Sequence, residues 1–195
     1  MANPQNSLQP GDALLIVDVQ NDFCPGGALP IANGDAVIPV LNQWIAAADS
    51  AHLPVYYSYD WHPAGHVSFR ESGGQWPPHC LQLSEGARLH AELRRATAAT
   101  FIAKGARLDR DQYSAFDETG LAVDLRRRGV VRVWVGGLAE DVCVLATVLD
   151  ACKSGFETIV ITDGTRPVSA GGAQAARDQM RASGARLETT DTFAR

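Results

Sequence analysis

The chain has 195 residues, 46% of them hydrophobic and 20% charged, which is the length and mixture of one globular domain. Its formal net charge of -5 argues against nucleic acid or an anionic membrane as partner, because both need a local excess of Lys and Arg. No apolar run is long enough to cross a bilayer, and the polar N-terminal stretch lacks an apolar signal segment, so a cytoplasmic location is expected.

Residues 1–12 read as a loose tail ahead of ALLIVDV (13–19), a continuous apolar run that suits a strand buried on both faces. NDFCPGG (21–27) is rich in turn residues. Asp35 is placed to cap a helix running to about Ser50, with Val37, Leu41, Trp44, Ile45 and Ala48 on one stripe. Leu53 to Tyr59 is a second strand. Residues 60–85, dense in Gly, Pro and His, show no period, and such a stretch inside a compact domain usually has a function.

A short helix is expected near 86–95, then a third strand, ATFIAK, ending at Lys104, and a loop to about 119. A helix over 120–128 closes on Arg126, Arg127 and Arg128, where positive charge meets the negative helix end. VVRVWVG (130–136) is the fourth strand, 140–153 a helix, and TIVITD (158–163) the fifth strand. Ser169 caps a helix that Gly184 terminates, and 185–190 form a last strand. The alternation predicts a single α/β domain over 1–195: a three-layer sandwich with a mostly parallel central sheet and helices on both faces.

In open α/β sheets, ligands bind beyond the carboxyl ends of the strands. Asp18 ends the first strand, Asp60 and His62 follow the second, Lys104 ends the third, and Cys143 follows the fourth at a helix start. A helix N-terminus and a nearby lysine both favour a thiolate, and Asp18 can accept and return its proton. Each residue also has a plainer reading: cysteine as core filler, aspartate as a backbone cap, lysine as a solvated charge. Of the other cysteines, Cys152 reads as filler, while Cys24 and Cys80 stay open. No CxxC pair occurs, and a disulfide scaffold does not suit a chain of this size.

Asp60, His62, His66 and His79 form a second constellation, in DWHPAGH and WPPHC. Imidazoles with a carboxylate suit zinc, iron or manganese. Phe23, Trp61, Trp76 and Tyr113 lie in the same loops, where aromatics can wall a flat ring or simply pack the loops. The GG pairs at 26–27, 73–74 and 136–137 match no GxGxxG pattern, so a dinucleotide site has little support.

Five blocks then appear in order: LLIVDVQNDFCPGGAL (14–29), DWHPAGHVSF (60–69), WPPHC (76–80), KG with DQYSAF (104–116) and GLAEDVCVLATVLDA (137–151). On these blocks, which span almost the whole chain, the sequence resembles the nicotinamidases within the wider isochorismatase-like cysteine hydrolases. The resemblance implies a catalytic set of Asp18, Lys104 and Cys143. Cys143 would attack a carboxamide, ammonia would leave, and water would hydrolyse the thioester to nicotinic acid. It implies Asp18 as general base and acid, and Lys104 as support for the thiolate and for Asp18. It further implies an oxyanion hole from the backbone N–H groups of Ala139 and Cys143, with a cis Leu138–Ala139 peptide.

The same resemblance implies one divalent metal on Asp60, His62 and His79, zinc first and iron or manganese as alternatives, facing the pyridine nitrogen of the substrate. His66 is a further candidate ligand, ranked below these three. Phe23 and Trp76 would wall the ring, and Tyr113 would shape the pocket. The implied setting is nicotinamide recycling toward NAD, with a small-molecule substrate and a homo-oligomer left open. Tyr59, LQLSEGA (81–87) and Glu140 depart from the family pattern and leave substrate breadth, pyrazinamide for instance, open. Rival readings are an amidase acting on N-carbamoyl or ureido compounds, which would not need the Asp60–His62 pair, isochorismatase itself, which would not need Cys143, and a non-catalytic metal-binding protein.

Overall fold

Among the described residues six strands join one sheet, and every neighbouring pair is parallel. The computed structural model describes residues 1–190. In chain order the strands are β1 (Asp12–Val17), β2 (Val55–Asp60), β3 (Ala99–Lys104), β4 (Arg132–Leu138), β5 (Glu157–Arg166) and β6 (Arg186–Glu188). The helices are α1 (Pro4–Ser7), α2 (Ile38–Ser50), α3 (Leu121–Arg127), α4 (Leu145–Lys153) and α5 (Ala170–Ala182). No helix among the described residues is long and apolar enough to cross a membrane.

The period-2 alternation of β1 sorts the core into two layers. Leu14 and Ile16 face α2, where Leu41, Trp44 and Ile45 are buried, and Trp44 packs on Trp134 at 4.6 Å between ring centroids. Ala13, Leu15 and Val17 face the opposite layer with Leu121 and Leu125 of α3, Val148 of α4 and Met180 of α5. Each fully buried Leu or Ile contributes about 1.5–3 kcal/mol of hydrophobic stabilisation, so both faces of the sheet must be covered. This is the expected three-layer sandwich.

The strand order β3-β2-β1-β4-β5-β6 reverses beside β1, because the chain leaves β3 at one edge and returns as β4 on the other side of β1. The carboxyl ends of β1 and β4 therefore flank a switch point, where a crevice opens between diverging connections. Gly137 keeps these two strand ends close. Its φ is +130°, and a Cβ there would lie 2.0 Å from the Val17 carbonyl oxygen. Gly137→Ala is expected to cost about 2 kcal/mol or more, from overpacking and an unsuitable φ. A denaturant unfolding midpoint equal to that of the parent chain would contradict this close-approach role.

Several expectations need correction. The loose tail at 1–12 is ordered instead: Ala2 N–H donates to the Thr189 carbonyl, Asn3 caps α1, and Asp12 already belongs to β1. The helix near 86–95 does not form. Its backbone groups are satisfied from elsewhere: His90 N–H donates to Val19 O, Arg94 N–H donates to the Asn42 side chain, and the Arg94 carbonyl accepts from the Tyr57 hydroxyl. Asp35 caps no helix. It lies inside a 3₁₀ turn, Gly34–Val37, that leads into α2, which carries Pro39 in its first turn. The helix expected from 140 begins as a π turn, Glu140–Val144, before α4.

Candidate active site

The four strand ends bring their polar residues to one point. Lys104, at the end of β3, is buried with its ammonium between two carboxylates, 2.7 Å from Asp18 Oδ2 and 2.5 Å from Asp60 Oδ1. The same nitrogen lies 3.4 Å from Cys143 Sγ and 3.4 Å from the Gln112 carbonyl. Asp18 sits just beyond β1 at φ 48°. The Ser58 hydroxyl donates to its Oδ1 at 2.7 Å. Oδ2 has the Lys104 charge but no aligned hydrogen-bond donor among the described residues, so one lone pair stays available. Acceptor atoms of Asp18 and Asp60 and the Cys143 sulfur all lie within 4.8 Å of one another.

Burial raises the Asp18 pKa to about 6; Lys104 opposes this and Asp60 reinforces it. Burial acts the same way on Asp60, but Lys104 and His62 outweigh it and hold that carboxyl well below the usual range. Asp60 therefore stays ionised while Asp18 is tuned to take up a proton. Burial also pushes the Cys143 thiol well above its ordinary value, with Lys104 opposing and the two carboxylates adding to the rise. Burial and the two carboxylates that share the lysine charge thus oppose the pull of the helix start and the lysine toward a thiolate. The direction of this shift favours a thiol beside a waiting base.

Cys143 is presented by the π turn after β4. The Leu138–Ala139 peptide is cis, and the Ala139 carbonyl accepts from the N–H groups of Val142 and Val144. Glu140 is buried in the same turn and forms a two-point ion pair with Arg177 of α5, at 2.5 and 3.2 Å.

Beside the sulfur, Asp60, His62 and His79 converge. Asp60 Oδ2 lies 3.5 Å from His62 Nε2 and 3.9 Å from His79 Nε2, and all three side chains are buried. His62 Nδ1–H donates to the Gly105 carbonyl at 2.9 Å, and His79 Nδ1–H to the Pro77 carbonyl at 2.8 Å. Each ring is thereby held with its Nε2 lone pair toward Asp60, an orientation typical of metal-ligating histidines. Burial lowers the His79 pKa, which favours the neutral ring a metal needs. One carboxylate and two such imidazoles fit a single divalent ion. Gly105 leaves the room required: a Cβ at that position would sit 2.4 Å from the His62 ring.

His66 lies next to this group, its ring 4.2 Å from that of His62, but does not join it. Its Nδ1 accepts from the Ser68 hydroxyl at 2.7 Å, and its Nε2–H donates to the Arg110 carbonyl at 3.2 Å. Both nitrogens are occupied, so the structure places His66 as a packed neighbour of the ligand set.

A pocket opens over the sulfur and His79. Phe23, Trp76 and Tyr113 line it, together with Ala139 and Asp60. Phe23 packs on His79 at 5.5 Å, and the Trp76 indole N–H donates to the Tyr113 hydroxyl at 3.0 Å. Sequence reasoning missed the aliphatic part of the wall, Leu29, Ile31, Val142 and Val168, which carries no signal beyond ordinary apolar residues. It also missed Ser58, although a hydroxyl inside the buried strand VYYSYD was a signal available to find it.

Comparison with known proteins agrees with this geometry. The family model described as the isochorismatase domain matches residues 12–192. The chain is 41% identical over 203 aligned positions to the nicotinamidase of Escherichia coli K12, covering 92% of this chain and 95% of that one. The crystal structure of the pyrazinamidase of Pyrococcus horikoshii in complex with zinc superposes with a TM-score of 0.88 at 40% identity, covering 92% of this chain and 99% of that one. The PnC1 protein of L. infantum, in complex with nicotinate, superposes with a TM-score of 0.85 at 38% identity, covering 92% and 93%.

Proposed function

We propose that this chain, which belongs to the isochorismatase-domain family, is a metal-containing cysteine amidohydrolase that converts nicotinamide to nicotinic acid and ammonia. The observation that carries this reading is the meeting of Asp18, Lys104 and Cys143 around one sulfur, beside the Asp60–His62–His79 group and under an aromatic-walled pocket. Similarity to proteins that act on nicotinamide or hold nicotinate supports the choice of substrate.

In this mechanism Asp18 Oδ2 takes the thiol proton as sulfur attacks the carboxamide carbon. The carbonyl oxygen becomes an oxyanion facing the backbone N–H groups of Ala139 and Cys143. Asp18 returns the proton to the amide nitrogen, the C–N bond breaks, and ammonia leaves a thioester on Cys143. Asp18 then deprotonates a water that attacks the thioester carbon. The C–S bond breaks, and the proton goes back to sulfur. Lys104 stays charged throughout and holds the two carboxylates apart. A divalent ion on Asp60, His62 and His79, zinc first, would supply a Lewis-acid contact for the pyridine nitrogen. Phe23, Trp76 and Tyr113 orient the ring.

Residues 1–195 act as one domain in this reading, supported by a single sheet that contains every described strand. A cytoplasmic location belongs to it as well: all four cysteines are free thiols, which suits a reducing compartment. The test is ammonia release from nicotinamide, pyrazinamide and a ureido compound, with metal analysis of the same sample. Turnover of both pyridine-type amides with about one equivalent of metal is expected. Ammonia from the ureido compound alone would replace the substrate assignment.

A further inference from the structure

Two polar side chains close to the catalytic base have no part in the steps above, yet they are tied to the metal-ligating residues. Gln20 is fully buried, and its carboxamide brackets the main chain of Asp60 from both sides. Its Oε1 accepts from Asp60 N–H at 2.8 Å, while its Nε2 donates at 2.8 Å to the Asp60 carbonyl and at 2.8 Å to that of Ala87. Asp22 reaches the other two ligands. Its Oδ2 accepts at 2.7 Å from Cys80 N–H, which belongs to the peptide joining His79 to Cys80. The Cys80 carbonyl in turn accepts from His62 N–H at 2.9 Å. Cys80 stands at φ 46°, an uncommon conformation for a non-glycine residue, and Asp22 fixes the amide on one side of it.

We propose that Gln20 and Asp22 are positioning residues for the metal. Gln20 sets Asp60, Asp22 sets His79 and His62, and segment 18–23 thereby couples the catalytic base to the geometry of all three ligands. Asp60 must send Oδ1 to Lys104 and Oδ2 to the imidazoles at once. That double duty tolerates little displacement, and a two-point grip on its backbone fixes the position from which the side chain reaches both. The inference rests on the metal reading of Asp60, His62 and His79, but not on the identity of the substrate.

The test uses full-length protein stripped of metal with a chelator, then titrated with zinc against a competing indicator and with cobalt(II) followed by its visible absorption. Gln20→Met and Asp22→Ala are expected to weaken zinc binding about 10- to 100-fold and to shift the cobalt bands. Asp22→Asn keeps an oxygen for Cys80 N–H but gives up the acceptor that serves Ala28 N–H, so it should bind zinc more tightly than Asp22→Ala without fully matching the parent chain. Asn21→Ala removes a bond to the Glu85 carbonyl in the same loop but touches no ligand, so its affinity and spectrum should match the parent chain.

Parent-like affinity and cobalt bands in both Gln20→Met and Asp22→Ala would overturn the proposal, as would an equal loss in Asn21→Ala. If Gln20→Met fails to fold, the contrast between Asp22→Ala and Asp22→Asn decides. A parent chain that binds zinc but releases no ammonia from nicotinamide would remove the substrate assignment and leave this inference standing.

Discussion

Cys143→Ala is expected to lower ammonia release from nicotinamide on the order of 10⁴-fold or more while the protein folds and keeps its metal. The sulfur forms the covalent bond, and nothing else in the pocket replaces it. The aspartate and lysine beside it are a base and a fixed charge. The substitution removes one buried atom from a turn whose backbone is held by other contacts: the Ala139 carbonyl with Val142 and Val144, and Glu140 with Arg177. Lys104 loses a 3.4 Å contact but keeps both carboxylates. Stability should therefore change by about 1 kcal/mol, and zinc content should not change, because the sulfur is not part of the Asp60–His62–His79 group. Cys152→Ala, near the C-terminal end of α4, serves as the comparison and should leave turnover intact. Near-parental ammonia release from Cys143→Ala would end the covalent mechanism in favour of direct attack by water.

The expected and observed folds agree where local pattern and tertiary environment point the same way. The apolar runs of β1 and β4 are buried on both faces, and the polar residues that end the first three strands mark one rim of the sheet. Agreement fails where a partner distant in sequence decides. Residues 86–95 have helix-forming composition, yet Asn42 and Tyr57 capture their backbone groups at Arg94. His66 and His79 have identical chemistry, and only the Ser68 hydroxyl and Arg110 carbonyl show that His66 has no free nitrogen. The balance between thiol and thiolate at Cys143 depends on distant partners in the same way. A helix start favours a thiolate, but burial and the two carboxylates that Lys104 already serves become visible only in three dimensions.

Burial that pushes the Cys143 thiol toward its protonated form makes the base decisive, so Asp18→Asn is the second substitution with a large expected effect. The amide keeps the shape and can still accept from the Ser58 hydroxyl, but it cannot take a proton from sulfur. A loss of about 10²–10⁴-fold in kcat/KM is expected from removal of a general base. The sign of the pH dependence follows from the direction of the shift. Burial raises the Asp18 pKa from 3.8 to about 6, so the carboxylate is the main form above that pH and the neutral acid below it. Only the carboxylate can accept the proton. Parental kcat/KM should therefore fall about tenfold per unit as pH drops below about 6, whereas an ordinary aspartate would leave the profile flat to about pH 4.

Alkylation of Cys143 by iodoacetamide provides a check that needs no amide substrate, since it too requires loss of the thiol proton. Its rate should bend at the same pH as kcat/KM in the parent chain. In Asp18→Asn it should be slow and lack that bend. An acid limb that survives in the residual activity of Asp18→Asn would assign the titration to another group. Alkylation at the parental rate in that variant would show that sulfur loses its proton without Asp18, and the base would have to be sought elsewhere in the pocket.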